Sequence, residues 1–266
     1  QRIAHEIKNP LTPIQLSAER LQMKLEDKLQ GAEAQLLNKS VSTIVDQVDA
    51  LKRLVDEFRD YARLPAAQLQ PLDLNALLRE LAHLYARAVV PVQWQLGADL
   101  PLIMGDAQQL RQVVHNLVQN AQDAAQARFD ADRVNAAKPS EPNEAKGCRA
   151  AQVEVCTKLG RSGERVRLIV RDNGSGFPAS ILRRAFEPYI TTKIKGTGLG
   201  LAVVKKIADE HQAPIDISNI AWPHEEGDLP VDAASTLAPA PADATWAGAQ
   251  IVLSFPMAAS EDAAAS

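Results

Sequence analysis

A histidine with an acidic neighbour stands almost at the front of the chain: His5 is followed by Glu6, and Asn9 lies one helical turn on. The Glu6 carboxylate can accept a proton from one ring nitrogen and leave the other as a nucleophile. The Asn9 amide shares a helical face with His5 and can orient a water or a phosphoryl oxygen. A lone histidine in a helical pattern is ordinarily a surface or satisfied core residue, so the arrangement acquires meaning only if the chain also supplies a group for the imidazole to attack.

Three later stretches have the chemistry to hold a nucleotide. Asn116 and Asn120 are spaced i, i+4 in a helical pattern whose other positions include Leu110, Val113, Val114, Leu117 and Ala121, so two amides share one face. Paired asparagines are ordinarily a solvated face. Their oxygens are also hard ligands of the kind taken by Mg2+ bridging nucleotide phosphates, with water filling the remaining positions. Asp172 leaves a strand pattern just before Gly174-Ser175-Gly176, by itself a turn signal. A carboxylate fixed by such a turn can accept a hydrogen bond from the exocyclic amine of adenine.

The third stretch is Gly196-Thr197-Gly198-Leu199-Gly200, preceded by Thr191-Thr192-Lys193 and followed by a helical pattern over residues 201–211. Backbone amides of a glycine loop and a helix N-terminus can hold phosphates. The glycines are too closely spaced for a dinucleotide Gly-x-Gly-x-x-Gly, and no strand leads into them. The absence of a Gly-Lys-Ser/Thr ending excludes a P-loop. Lys193 is the candidate cation for the terminal phosphate.

The elements that must position these groups fall into two parts. Apolar residues recur at Leu11, Ile14, Ala18, Leu21 and Leu25, and again at Leu37, Val41, Ile44, Val48, Leu51, Val55, Phe58 and Ala62, the alternating four-three spacing of two coiled-coil seams separated by Gly31. Pro10 and Pro13 predict a bend just past His5. One helical pair encloses too little core, so two chains are expected to combine as a homodimeric four-helix bundle. Pro65 ends the second helix, and the stretch to Pro71 reads as a linker.

Beyond it, Asp73 caps a predicted helix. Val90, Val92, Trp94 and Leu96 alternate as in a half-buried strand, and a short strand lies near residues 102–104. Asp106 and Gln109 resemble a capping box for the helix that carries Asn116. Residues 153–159 and 165–170 read as a strand hairpin, a short helix falls at 180–185, and Ile215, Ile217, Ile251, Leu253 and Phe255 read as the last strand pair. Residues 128–150 and 221–247 lack periodicity and are expected to be flexible insertions, and 259–266 a disordered tail.

Of 266 residues, 46% are hydrophobic and 23% charged with net charge −4, which suits globular domains and leaves no basic footprint for nucleic acid. Cys148 and Cys156 fit neither a disulfide framework nor a zinc site, and no apolar run spans a membrane. The chain opens on Gln inside a helical pattern, so a preceding region is expected to hold any sensing or membrane-anchoring part.

The stretch from His5 to Leu21 resembles the phosphoacceptor box of sensor histidine kinases, in particular the nitrogen-regulation NtrY type. The segment around Asn116 and Asn120 resembles the N box of the GHKL superfamily of gyrase, Hsp90, histidine kinases and MutL. Residues 172–177 resemble its G1 box, Phe186-Glu187-Pro188-Tyr189 its F box, and 196–201 its G2 box.

The resemblance implies an α+β chain. Residues 1–67 would be the dimerisation and histidine-phosphotransfer hairpin, and 68–258 a two-layer α/β sandwich of the Bergerat ATP-binding fold. It implies His5, Glu6 and Asn9 as catalytic residues and ATP with Mg2+ as cofactors, the metal on Asn116 and Asn120. Nucleotide contacts would come from Asn116, Asn120, Asp123, Asp172, Gly174, Gly176, Lys193, Gly196, Thr197, Gly198, Leu199 and Gly200. ATP hydrolases of the superfamily carry a Glu where Asn116 stands. It further implies a response-regulator receiver domain, NtrX-like, as partner, and a cytoplasmic portion of an inner-membrane-anchored bacterial sensor kinase. A GHKL-type ATPase clamp and a non-catalytic dimeric scaffold are the alternatives.

Overall fold

The computed structural model describes residues 2–62, 64–136, 150–193, 196–220 and 248–258, with only the backbone for helical residues 2–8, 60, 62, 135 and 136. Two compact units emerge, one of Gln1–Pro65 with Glu187–Leu199 and one of Ala66–Phe186 with Gly200–Ser266.

In the first unit α1 (Arg2–Leu25) continues through Pro10 and Pro13, and α2 (Ala32–Ala62) follows a turn in which Gly31 takes φ +61°. That left-handed conformation suits a residue without Cβ. Gln22 Nε2 donates to Asn38 Oδ1 at 2.9 Å and Lys52 Nζ donates to Gln15, so the helices run antiparallel. The seams divide cleanly. Leu11, Ala18, Val41, Val48 and Val55 are buried, whereas the alternate members Ile14, Leu21, Ile44, Leu51 and Phe58 remain 40 to 54% exposed. One hairpin therefore uses only half of its heptad pattern.

The second unit has a five-stranded sheet in the order β2 (Val92–Leu96), β4 (Val153–Leu159), β5 (Arg165–Asp172), β7 (Gly248–Pro256), β6 (Ile215–Ile220). The β2–β4 pair is parallel and the others antiparallel. Alternation puts Val153, Val155, Val166, Leu168, Val170, Leu253 and Phe255 on one buried face. Against it lies α4 (Ala107–Ala136), which touches β4, β5 and β7, while α3 (Leu74–Tyr85) packs on β2 and α6 (Gly200–Glu210) on α4. A one-turn α5 (Ala179–Leu182) and the pair β1 (Gln70–Leu72) and β3 (Ile103–Gly105) complete a mixed α+β architecture. On the other sheet face the buried Arg171 reaches Glu154 at 2.8 Å and Gln250 at 2.7 Å.

Four local expectations are corrected. Residues 128–136 are helical, not loop. The side-chain pairs Gln126 to Asp130 and Arg128 to Asp132, with Arg133 over Phe129, sit four apart and support a helix that no apolar stripe announces. The supposed linker already contains β1, with Gln70 opposite Gly105. Half of the Asp106 capping box forms. Asp106 Oδ1 accepts from the Gln108 and Gln109 amides at 2.9 and 3.1 Å, but the Asp106 N–H donates to His211 Nε2, and Gln109 reaches Glu210 instead. The short helix expected at 180–185 spans one turn at 179–182. The insertion read at 221–247, the remainder of the other at 137–149 and the tail at 259–266 lie outside the described residues.

Candidate nucleotide-binding site

The site is built on α4, the first residue of α6 and the end of β5. Asn116 Nδ2 donates to the Gly200 carbonyl at 3.4 Å. A Cβ placed on Gly200 would meet Asn120 Nδ2 at 3.5 Å, so both amides adjoin the start of α6. There the first backbone N–H groups of a helix have no intrahelical acceptor and favour anions.

Asp172 is buried, and its Oδ1 accepts from the Gly174 amide at 2.8 Å, which fixes the carboxylate at the strand end. A side chain on Gly174 would lie 2.8 Å from the Ala124 backbone, and Gly176 takes φ +72°. Glycine at both positions lets the loop lie against α4 and turn sharply.

Four residues that hold this loop were not singled out from the sequence. Asn173 Oδ1 accepts from the Gln152 amide at 2.9 Å and its Nδ2 donates to Ala150 O at 2.7 Å. Arg128 Nη1 donates to Gly174 O at 2.9 Å. Asn219 binds both the N–H and the C=O of Phe177. Gly248 passes so close to Asp172 that a Cβ there would stand 2.0 Å from the Asp172 carbonyl. Only Asn219 left a signal in the sequence: it is a polar residue at the parity of Ile215 and Ile217.

Asp123 lies about one turn beyond Asn120 on α4. It is exposed and accepts from Gln119 Nε2 at 2.9 Å along the helix. The residues of 187–199 belong to the helical unit and are organised within it. Tyr189 N–H donates to Gly198 O at 3.0 Å, Gly196 N–H to Lys193 O at 3.2 Å and Leu199 N–H to Thr197 Oγ1 at 3.3 Å. Thr197 Oγ1 also donates to Glu57, and Leu199 is fully buried. Gly198 has φ +72°, and a Cβ on it would strike the Tyr189 backbone. Lys193 is half-buried and Lys195 is outside the described residues. Asn9 is exposed on α1, and the side chains of His5 and Glu6 lie outside the described set.

Among the described residues no group of three or more His, Cys, Asp or Glu side chains can hold a metal. The amide oxygens of Asn116 and Asn120 are of the kind that suits a divalent cation taking its other ligands from phosphate oxygens and water. No described helix is long and apolar enough to cross a membrane.

A sheet backed by helices, with amides beside a helix N-terminus and a fixed carboxylate at a glycine turn, defines a nucleotide-binding domain that follows a helical hairpin in the chain. Residues 105–258 match the family described as histidine kinase-, DNA gyrase B-, and HSP90-like ATPase, and residues 1–67 match the His Kinase A (phospho-acceptor) domain. The first match covers more than half of the chain, and the chain belongs to that family.

Nitrogen regulation protein NtrY of Azorhizobium caulinodans is 35% identical over 222 residues, 82% of this chain and 26% of that protein. A putative sensor histidine kinase, NtrY-like, of Rickettsia felis is 32% identical over 82% of this chain and 33% of its own length. The chain thus spans between a quarter and a third of these relatives. The full-length ShkA structure, solved with AMPPNP, shares the fold over 97% of this chain and 46% of that one, with TM-score 0.58 and 24% identity.

Proposed function

We propose that the chain is the ATP-dependent protein-histidine kinase portion of a sensor kinase of the nitrogen-regulation type. It phosphorylates His5 and passes the phosphoryl group to an aspartate of a response-regulator receiver domain, NtrX-like by the likeness to NtrY. One observation carries the reading: a phospho-acceptor domain precedes, in the same chain, an ATPase-type domain whose position 116 is an amide. An amide cannot take a proton from water, so transfer to a protein nucleophile is favoured over hydrolysis.

In this reading Glu6 draws the proton from one ring nitrogen of His5 while the other attacks the γ-phosphorus. The N–P bond forms as the bond to the bridging oxygen breaks, and ADP leaves. Asp172 accepts from the adenine amine within the loop of Gly174 and Gly176. Gly196, Thr197, Gly198, Leu199, Gly200 and Lys193 hold the phosphates. Asn116 and Asn120 hold Mg2+, which offsets negative charge on the phosphate oxygens. Asn9 orients water for dephosphorylation of the regulator. Two chains pair through the hairpin, and a region ahead of residue 1 anchors the protein to the inner membrane.

Incubation with γ-labelled ATP and Mg2+ tests this. Acid-labile, base-stable label is expected on the wild type and absent from His5→Gln, with Asp172→Asn failing through lost ATP affinity. Steady phosphate release without labelled protein would instead support an ATPase clamp, and failure to bind ATP a scaffold.

A further inference from the structure

A cluster of titratable and polar groups lies at the far end of α6 from Gly200, outside the nucleotide site. His211 is buried at 1% exposure and sits edge-on to Phe255. Its Nε2 accepts the Asp106 N–H at 2.9 Å, so Nδ1 carries the proton and donates to Ile207 O at 2.8 Å. His211 thereby fixes the backbone of Asp106, whose carboxylate divides its work. Oδ1 caps α4, and Oδ2 accepts the Gln68 amide at 3.0 Å. Beside it, Glu210 Oε2 accepts the Ala67 amide at 3.1 Å and Gln109 Nε2 at 3.3 Å. Burial works against the charged form of Asp106, but the amides of Gln68, Gln109 and Gln108 hold its carboxyl below the usual range.

We propose that Glu210 and Asp106 are positioning residues for phosphoryl transfer: their carboxylates clasp the Ala67 and Gln68 amides onto the ATP-binding unit and so shorten the tether between that unit and the His5 helix. The inference rests on the kinase reading. Without the clasp the first strand-paired residue is Gln70, where β1 begins. Releasing the Ala67 and Gln68 amides therefore adds three residues, 67–69, to the stretch that connects this unit to α2. The effective concentration of a tethered group falls roughly as the −3/2 power of tether length, so releasing the clasp lowers the encounter rate about twofold. Glu210 stands ten residues from Gly200, roughly 15 Å along the helix, so nucleotide affinity is spared.

The test uses the full chain and three variants. Glu210→Ala is expected to speed hydrogen exchange at Ala67 about tenfold or more, to lower autophosphorylation at saturating ATP about twofold and to leave the Kd for ATP unchanged. Glu210→Gln retains an acceptor and should behave as wild type. Two glycines inserted after Pro65 should lower the rate about as far while Ala67 stays protected.

Fast exchange of Ala67 in the wild type, an unchanged rate in Glu210→Ala despite lost protection, or an insertion without effect each overturns the proposal. A chain that protects Ala67 yet never labels His5 removes the kinase reading, and the positioning role falls with it. Normal labelling with Ala67 unprotected removes the clasp alone.

Discussion

Asn219 holds Phe177 by both ends of its peptide unit, with Oδ1 accepting the Phe177 N–H at 2.7 Å and Nδ2 donating to the Phe177 C=O at 2.8 Å. A side-chain amide on β6 thus pairs with the loop after Asp172 as a neighbouring strand would. A Cβ on Gly176 would lie 2.8 Å from Asn219 Oδ1, so the glycine and the asparagine are fitted to each other.

Asn219→Ala removes two hydrogen bonds, each worth about 0.5–1.5 kcal/mol net. It is expected to weaken ATP binding about tenfold in calorimetry, since about 1.4 kcal/mol corresponds to that factor. At saturating ATP the labelling rate should change little, because the residue acts on the loop and not on the reacting atoms. An unchanged Kd would show that the loop holds its shape without this grip.

The main elements were legible because periodicity reports burial. The two heptad seams predicted α1 and α2, and alternation predicted the pairs β4–β5 and β6–β7. What escaped carries no apolar period. The second half of α4 rests on polar pairs four apart, and β1 is three residues long with a proline at its centre, so neither carries an apolar signal. Asp106 and Gln109 read as a whole capping box, of which half forms, because the histidine that takes the Asp106 amide lies 105 positions away. Of the candidate residues, Asn116, Asn120 and Gly200 come together in one unit, and Asp123 accepts from Gln119 one turn back along α4.

The unused half of the seam predicts how the hairpin associates. Ile14, Leu21, Ile44, Leu51 and Phe58 form an apolar layer that one chain leaves exposed. Covering such a side chain contributes about 1.5–3 kcal/mol relative to solvent. Ile44→Glu with Leu51→Glu should therefore shift the chain from dimer to monomer in sedimentation equilibrium while the Kd for ATP stays at the wild-type value, because neither residue is among the proposed nucleotide contacts. A doubly substituted chain that remains dimeric would place the interface on another surface.

Cys156 predicts the behaviour of the sheet at high pH. Burial, and then the Glu154 carboxylate beside it, push its thiol from an ordinary 9.0 up to about 12. Near pH 8 the folded thiol should resist alkylation and react only on unfolding. Between these values the unfolded chain gives up a proton that the folded chain keeps, so stability is fully present below about 9 and declines as pH rises towards 12. Cys156→Ala should flatten this alkaline limb in urea titrations. An identical pH profile in the variant would show that the thiol contributes nothing to it.

The same sheet face predicts an asymmetry between single and double substitutions. Arg171 and Glu154 are 7% and 6% exposed and 2.8 Å apart. Removing one member of a buried pair leaves the other charge in a poorly solvated place, at a cost of about 3–5 kcal/mol, whereas replacing both by apolar residues of similar volume is often neutral. Glu154→Leu should therefore lower the urea midpoint sharply, since the Arg171 guanidinium loses the Glu154 carboxylate. Glu154→Leu with Arg171→Met should recover most of that loss. The double variant also separates stability from orientation: Arg171 precedes Asp172 on β5, so weaker ATP binding by a protein of wild-type midpoint would mean that the ion pair aligns the carboxylate at the glycine turn. Equal destabilisation in the single and double variants would mean instead that the shape of these side chains, and not their charge, stabilises this face.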